Sequence, residues 1–168
     1  MIEVKIQDEV LRAAAEAGMD EFMQAFVDGI LNAIGGELTQ ETMAELNSDQ
    51  ITLLAYSMMR DELMDGGFVQ LIHNGLGGFI FRNPFDKALK QWGMIDLARL
   101  VSKGHKLYNK YRSQIEIECT DEEFMAMFEK MPEFDNLDDE FVANEERWTD
   151  EVACIIDEKI DRFATIVQ

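Results

Sequence analysis

Proline, cysteine and histidine each occur only twice in 168 residues, and 15 bases stand against 34 acids. With so little proline there is no Pro-rich linker, and helices meet few forced interruptions. Cys119 and Cys154 show no CxxC spacing, so reduced thiols are expected in place of a disulfide framework or a structural zinc site. His73 and His105 have no acidic neighbours at ligand spacing, which argues against a metal or a cofactor. His73 is expected at a helix cap or in the core, and His105 on the surface among lysines. No serine or cysteine has a partnered base, so covalent catalysis is unsupported. No apolar run approaches the ~20 residues that span a bilayer. The N-terminus lacks the basic-then-apolar layout of a signal peptide, so a cytoplasmic location is expected.

The shortage of positive charge excludes more. A net charge of −19 makes nucleic acid a poor direct partner, and an anionic membrane surface likewise. The charge is also zoned. Residues 1–65 carry 14 acids and 3 bases, residues 115–168 carry 18 and 4, and residues 66–114 reverse the sign with 2 and 8. Pairing of the basic middle with the acidic ends would absorb part of the excess. The rest must be displayed.

What is present is helical periodicity in one domain's worth of chain, with 11 methionines and 11 phenylalanines to fill a core. Convincing β alternation is absent, and the fold class expected is all-α, one compact domain over residues 1–168. A first helix is expected from Ile2 to Ala17, with Ile6, Val10, Ala13, Ala14 and Ala17 inward. A second carries Met19, Phe22, Met23, Phe26 and Ile30, and Thr39 caps a short third. Asn47 with Gln50 resembles a capping box ahead of Ile51, Leu54, Ala55 and Met58. Phe79-Ile80-Phe81 reads as a buried extended piece, and Asn83-Pro84 as a helix start. Met94 to Tyr111 is helical, Thr120 to Glu123 forms a capping box, and the last helix is expected from about Leu137 nearly to the C-terminus.

The centre of this plan is the glycine-rich stretch from Met64 to Phe79. Gly66-Gly67 frees the backbone to turn. Phe68, Leu71 and Ile72 mark a short buried helix, and Asn74-Gly75 closes it. The pattern Gly66-Gly67-Phe68-x-Gln70-x-x-x-Asn74-x-x-Gly77 resembles the core motif of the bacterial DNA-mimic protein family of the nineteen-kilodalton type. Leu137, Asp138 and Phe141, within Phe134-x-x-Leu137-Asp138-Asp139-Glu140-Phe141, resemble its second motif, which opens the long C-terminal helix. The resemblance spans about residues 45–165. Leu71 and Ile72 stand where the family is expected to carry aromatics, and Gly75-Leu76-Gly77-Gly78 is richer in glycine. These motifs are structural in kind. What the resemblance implies for function is a protein-binding module that stands in for DNA.

The last helix supplies an independent reason to consider that. At ~100° per residue, Leu137, Trp148, Val152, Ile155, Phe163 and Ile166 share a face with Phe141. Asp139, Glu146, Asp150, Asp157 and Asp161 fall opposite, and Glu140, Glu151 and Glu158 form a second row beside them. Glu145 and Lys159 fall on the apolar face. Between Asp138 and Asp161 stand ten acids and two bases, where a self-stabilising surface helix would alternate glutamate with lysine. That is about one net charge per ~4.3 Å of helix, against 3.4 Å for a single DNA strand and 1.7 Å for a duplex. A duplex mimic would need a second acidic element, from the N-terminal half or from a homodimer partner. A merely solvated face is the commoner meaning of such a stripe.

Other constellations are weaker. Gly75 to Ile80 lacks the third glycine and the βαβ setting of a dinucleotide loop. Asp135 to Asp139 lacks the glycine of a calcium loop. Asp61, Glu62 and Asp65 would suit a cation, the basis of a metal-dependent hydrolase reading. Arg99, Lys103, Lys106 and Lys110 would suit phosphate, with internal pairing the better account. The function favoured is non-enzymatic. The acidic row occupies the basic surface of a DNA-binding protein such as a transcription regulator. An immunity-type inhibitor of a cationic toxin is the alternative.

Overall fold

The computed structural model describes residues 1–168, which form eleven α-helices and two three-residue strands. The all-α class holds. The chain divides into two compact units, Met1–Leu54 with Glu146–Gln168, and Ala55–Glu145. None of the helices is long and apolar enough to cross a membrane.

In the first unit the expected N-terminal helix is shorter than its periodicity suggested. Strand β1 (Lys5–Gln7) precedes helix α1 (Asp8–Ala17) and pairs in parallel with β2 (Thr165–Val167), Ile6 opposite Ile166. Ile6 is buried between exposed Lys5 and Gln7, an alternation too short to separate from a helical pattern. On α1 it is Leu11 that enters the core, while Val10 is exposed. Helix α2 (Met19–Ala33) buries Phe22, Met23, Phe26 and Ile30 as read. Thr39 caps α3 (Gln40–Met43) in a reciprocal box with Thr42.

The cap of α4 (Ser48–Asp65) explains the end of the chain. Gln50 Oε1 accepts from the Asn47 backbone N–H at 3.0 Å, and Asn47 Oδ1 from that of Gln50 at 2.9 Å. The same two amides reach further: Asn47 donates to the Arg162 carbonyl at 2.7 Å and Gln50 to that of Phe163 at 3.0 Å. Asp49 adds ion pairs to Arg162 (2.9 Å) and Lys159 (3.4 Å). The final helix therefore stops early. Helix α10 ends at Glu158, a short α11 (Ile160–Phe163) follows, and β2 closes the chain. Phe163 is buried edge-on to Phe26, with ring centroids 6.4 Å apart.

The second unit holds α5 (Gly67–His73), α6 (Gly77–Arg82), α7 (Phe85–Gln91), α8 (Ile95–Ile115) and α9 (Asp121–Lys130), with the first half of α10 (Glu133–Glu158). Phe79-Ile80-Phe81, expected extended, is helical within α6. Gly77 is the reason this helix can lie on α8, because a Cβ there would overlap the Tyr108 ring. Asn83 does not cap α7; its amide donates to the Phe79 carbonyl at 3.0 Å and closes α6. Thr120 and Glu123 form the expected capping box of α9. Pro132 ends α9 but sits just before α10, which starts at Glu133, ahead of the expected Leu137.

Candidate functional site

The two sequence motifs meet in the second unit. Gly67 takes φ +80°, a conformation that favours glycine, and a Cβ on it would run into the Asp138 carboxylate. Asp138 Oδ1 accepts from the Phe68 backbone N–H at 2.9 Å, so a residue of α10 caps the buried start of α5. Burial pushes the Asp138 carboxyl up to about 6; Asp135 and Asp139 push the same way and the Phe68 N–H opposes them. Gln70, which folds over Gly66, donates to Glu62 at 3.0 Å and Asp65 at 2.8 Å. Asn74 donates to Glu62 as well, at 3.0 Å. Gly75 takes φ +89° after the end of α5. Phe68, Phe134, Leu137 and Phe141 are buried, with the Phe68 and Phe134 rings 6.3 Å apart. Every motif residue thus has a structural task. Glu62 and Asp65, two of the three acids considered for a cation, are held by side-chain amides.

The acidic residues divide between the units. In the second, Asp139 and Glu140 are exposed on α10. In the first, Glu146, Asp150, Asp157 and Glu158 are exposed on α10, Glu146 and Asp150 about 6 Å apart along the axis and Asp150 and Asp157 about 10 Å. Glu151 is partly neutralised, because Arg147 one turn earlier pairs with it at 3.1 Å. Asp161 is exposed but belongs to α11, beyond the break at Lys159, so the projection that aligned it with the others does not apply. The two charges that projected onto the apolar face have partners: Glu145 faces Arg60 at 3.6 Å, and Lys159 faces Asp49.

A cavity beside this row was not legible in the sequence. In the first unit a cavity of about 360 Å³ is lined by Ala15 of α1 and Met19 and Phe22 of α2, and across from them by Ala153, Cys154, Asp157 and Glu158. The two walls of this cavity lie some 140 residues apart in the sequence, so no local pattern connects them.

The remaining candidates resolve into structure. His73 Nδ1 lies 3.0 Å from the Ile115 carbonyl oxygen, its ring packs 4.7 Å from that of Phe124, and Cys119 Sγ is 4.0 Å from Nε2. His105 is half-buried and stacks on Phe81 at 5.8 Å, a correction to its expected surface position. Of the cations on α8, Lys110 pairs with Glu133 at 3.2 Å and Arg112 with Glu116 at 3.0 Å. Tyr111 also donates to Glu133, and that bond, ahead of the Lys110 contact, holds the Glu133 carboxyl below its ordinary value. Arg99, Lys103 and Lys106 are exposed and have no such pair, so internal pairing accounts for only part of the basic middle.

The sequence matches the family described as DMP19-like protein over residues 44–164. It is also 30% identical, over 129 residues, to a protein of Neisseria meningitidis serogroup B named DNA mimic protein DMP19. The aligned part covers 76% of this chain and 78% of the relative. The family match takes in the glycine hub, the Asp138 cap and all of α10, while α1 and α2 lie outside it. With both motifs inside a match of this extent, the chain belongs to the DMP19-like protein family.

Proposed function

We propose that this protein is a DNA mimic that binds the basic DNA-contacting surface of a DNA-binding protein, such as a transcription regulator, and performs no chemistry. The observation that carries this reading is the exposed, weakly neutralised carboxylate row of α10: Asp139 and Glu140 in one unit, Glu146, Asp150, Asp157 and Glu158 in the other. Carboxylates spaced by about 6 to 10 Å stand where phosphates would, and a protein that reads DNA largely through phosphate contacts can accept them. The second acidic element that a duplex mimic needs would come from the acid-rich N-terminal half or from a second copy of the chain. The family's DNA-mimic relative supports the same reading.

The test is capture of partners from native lysate at low and moderate salt. Wild type is compared with a variant in which Asp139, Glu146, Asp150, Asp157 and Asp161 are Asn or Gln. The expected result is a basic DNA-binding protein that wild type retains, duplex DNA displaces and the variant loses. Identical capture by both proteins would show the row to be only a solvated face.

A further inference from the structure

We infer that the cavity between the α1–α2 corner and the end of α10 is a receptor for an arginine side chain of the partner. The inference rests on the DNA-mimic reading and sharpens it, from a diffuse acidic surface to one with a specific anchor. Its walls and its border differ in character. Ala15, Met19, Phe22 and Ala153 make the walls apolar, and Met19 leaves 41% of its surface exposed. Asp157 and Glu158 stand together at the border, exposed and without an ion pair within the chain. At about 360 Å³ the space is large enough for one long side chain and too small for a folded element.

Charge complementarity selects the occupant. An aliphatic or aromatic side chain would bury the two carboxylates without compensating them. A lysine would bring a compact, strongly hydrated ammonium that gains little from an apolar wall. Arginine meets both demands. Its stem and weakly hydrated guanidinium plane lie against Met19 and Phe22, and its fork can engage the Asp157 and Glu158 carboxylates in charge-assisted hydrogen bonds. Arginine is also the cation most used at buried interface anchors and in phosphate recognition, so a DNA-binding protein presents it. Ala15, Met19 and Phe22 lie outside residues 44–164, so one wall of this receptor comes from a part of the chain beyond the family match.

The experiment measures the affinity of acetylated octa-arginine and octa-lysine amides, which carry equal charge, for wild type, Ala15→Leu and an Ala15→Ser control. Ala15 is exposed on α1 and leucine is a good helix former, so the leucine variant fills the cavity without disturbing the fold. The expected result is an arginine preference of roughly fivefold in wild type and Ala15→Ser that disappears in Ala15→Leu. Alkylation of Cys154 by N-ethylmaleimide, followed site by site by mass spectrometry, should be slowed by octa-arginine and not by octa-lysine. Equal affinity for the two peptides in wild type, or a preference that survives Ala15→Leu, would overturn the receptor and leave the acidic-surface reading standing. Failure of both peptides to bind wild type would overturn the receptor and the acidic-surface reading together.

Discussion

Asp138 and Phe68 are separated by 70 residues in sequence and joined by a hydrogen bond of 2.9 Å, the carboxylate of one capping the helix whose first turn holds the other. The bond is made by a carboxyl group whose burial raises it to about 6. Because that lies above the ordinary unfolded value of ~3.9, the folded protein holds more proton between about pH 4 and 6. This group's contribution to stability is therefore fully present below the unfolded value and lost as pH rises through about 6. Relief of the −19 net charge acts in the same direction, so a control is needed. Asp138→Asn keeps an acceptor for Phe68 and removes the buried charge. It should leave the protein at least as stable at pH 7 and flatten the urea-midpoint profile between pH 5 and 7 by on the order of 1–2 kcal/mol, after discounting for partial solvent access. An unchanged slope would remove Asp138 from the account.

Gly67 and Gly75 offer a graded comparison. Both take positive φ, but a Cβ at Gly67 meets the Asp138 carboxylate and one at Gly75 meets open space. Gly75→Ala should cost about 1 kcal/mol, from backbone strain alone. Gly67→Ala should cost at least twice that in chemical denaturation, and less when combined with Asp138→Ala, a coupling that a double-mutant cycle reads directly. Equal costs at both positions would mean that Asp138 yields freely.

The end of the chain should loosen when Asp49 is lost. Its ion pairs with Arg162 and Lys159 lie next to the Asn47 and Gln50 amides that hold the Arg162 and Phe163 carbonyls. Asp49→Ala should lower stability by about 1 kcal/mol, because both cations are partly exposed. Hydrogen exchange should quicken in residues 159–167 before it does in α2. Uniform quickening would argue for a global effect instead.

How far the chain could be read follows from which contacts are local. The Thr120–Glu123 and Asn47–Gln50 boxes are short-range, and both form where the residue types place them. The glycine hub was legible as a turn, a short helix and a turn, but the reason for Gly67 lies in Asp138, which no local rule connects to it. β1 and β2 escaped notice because three residues carry no period and their partners lie at opposite ends of the sequence. The acidic row on α10 was legible up to Glu158, since one helical period governs it. It failed at Asp161, where the clamp on Arg162 and Phe163 overrides the helical pattern. Glu145 and Lys159 looked misplaced on the apolar face only because Arg60 and Asp49 were out of view.

The row itself has a thermodynamic signature that needs no partner. Acids retained for binding cost self-repulsion in the free protein, whereas acids that serve the fold stabilise it. Glu146 and Asp150 are one turn apart with the same sign, and such pairs are unfavourable by roughly 0.2–0.5 kcal/mol each in low salt. Asp139, Asp157 and Glu158 add longer-range repulsion within about one Debye length. Replacing Asp139, Glu146, Asp150 and Asp157 by Asn or Gln, with Glu151 kept for Arg147, should raise stability by about 1 kcal/mol at low ionic strength. The gain should shrink as salt screens wild type, and wild type itself should become more stable on adding salt. Thermal melts of both proteins across an ionic-strength series measure this. A variant less stable than wild type at every salt concentration would mean that these carboxylates hold the fold together, and they would then be poor candidates for a surface held ready for a partner.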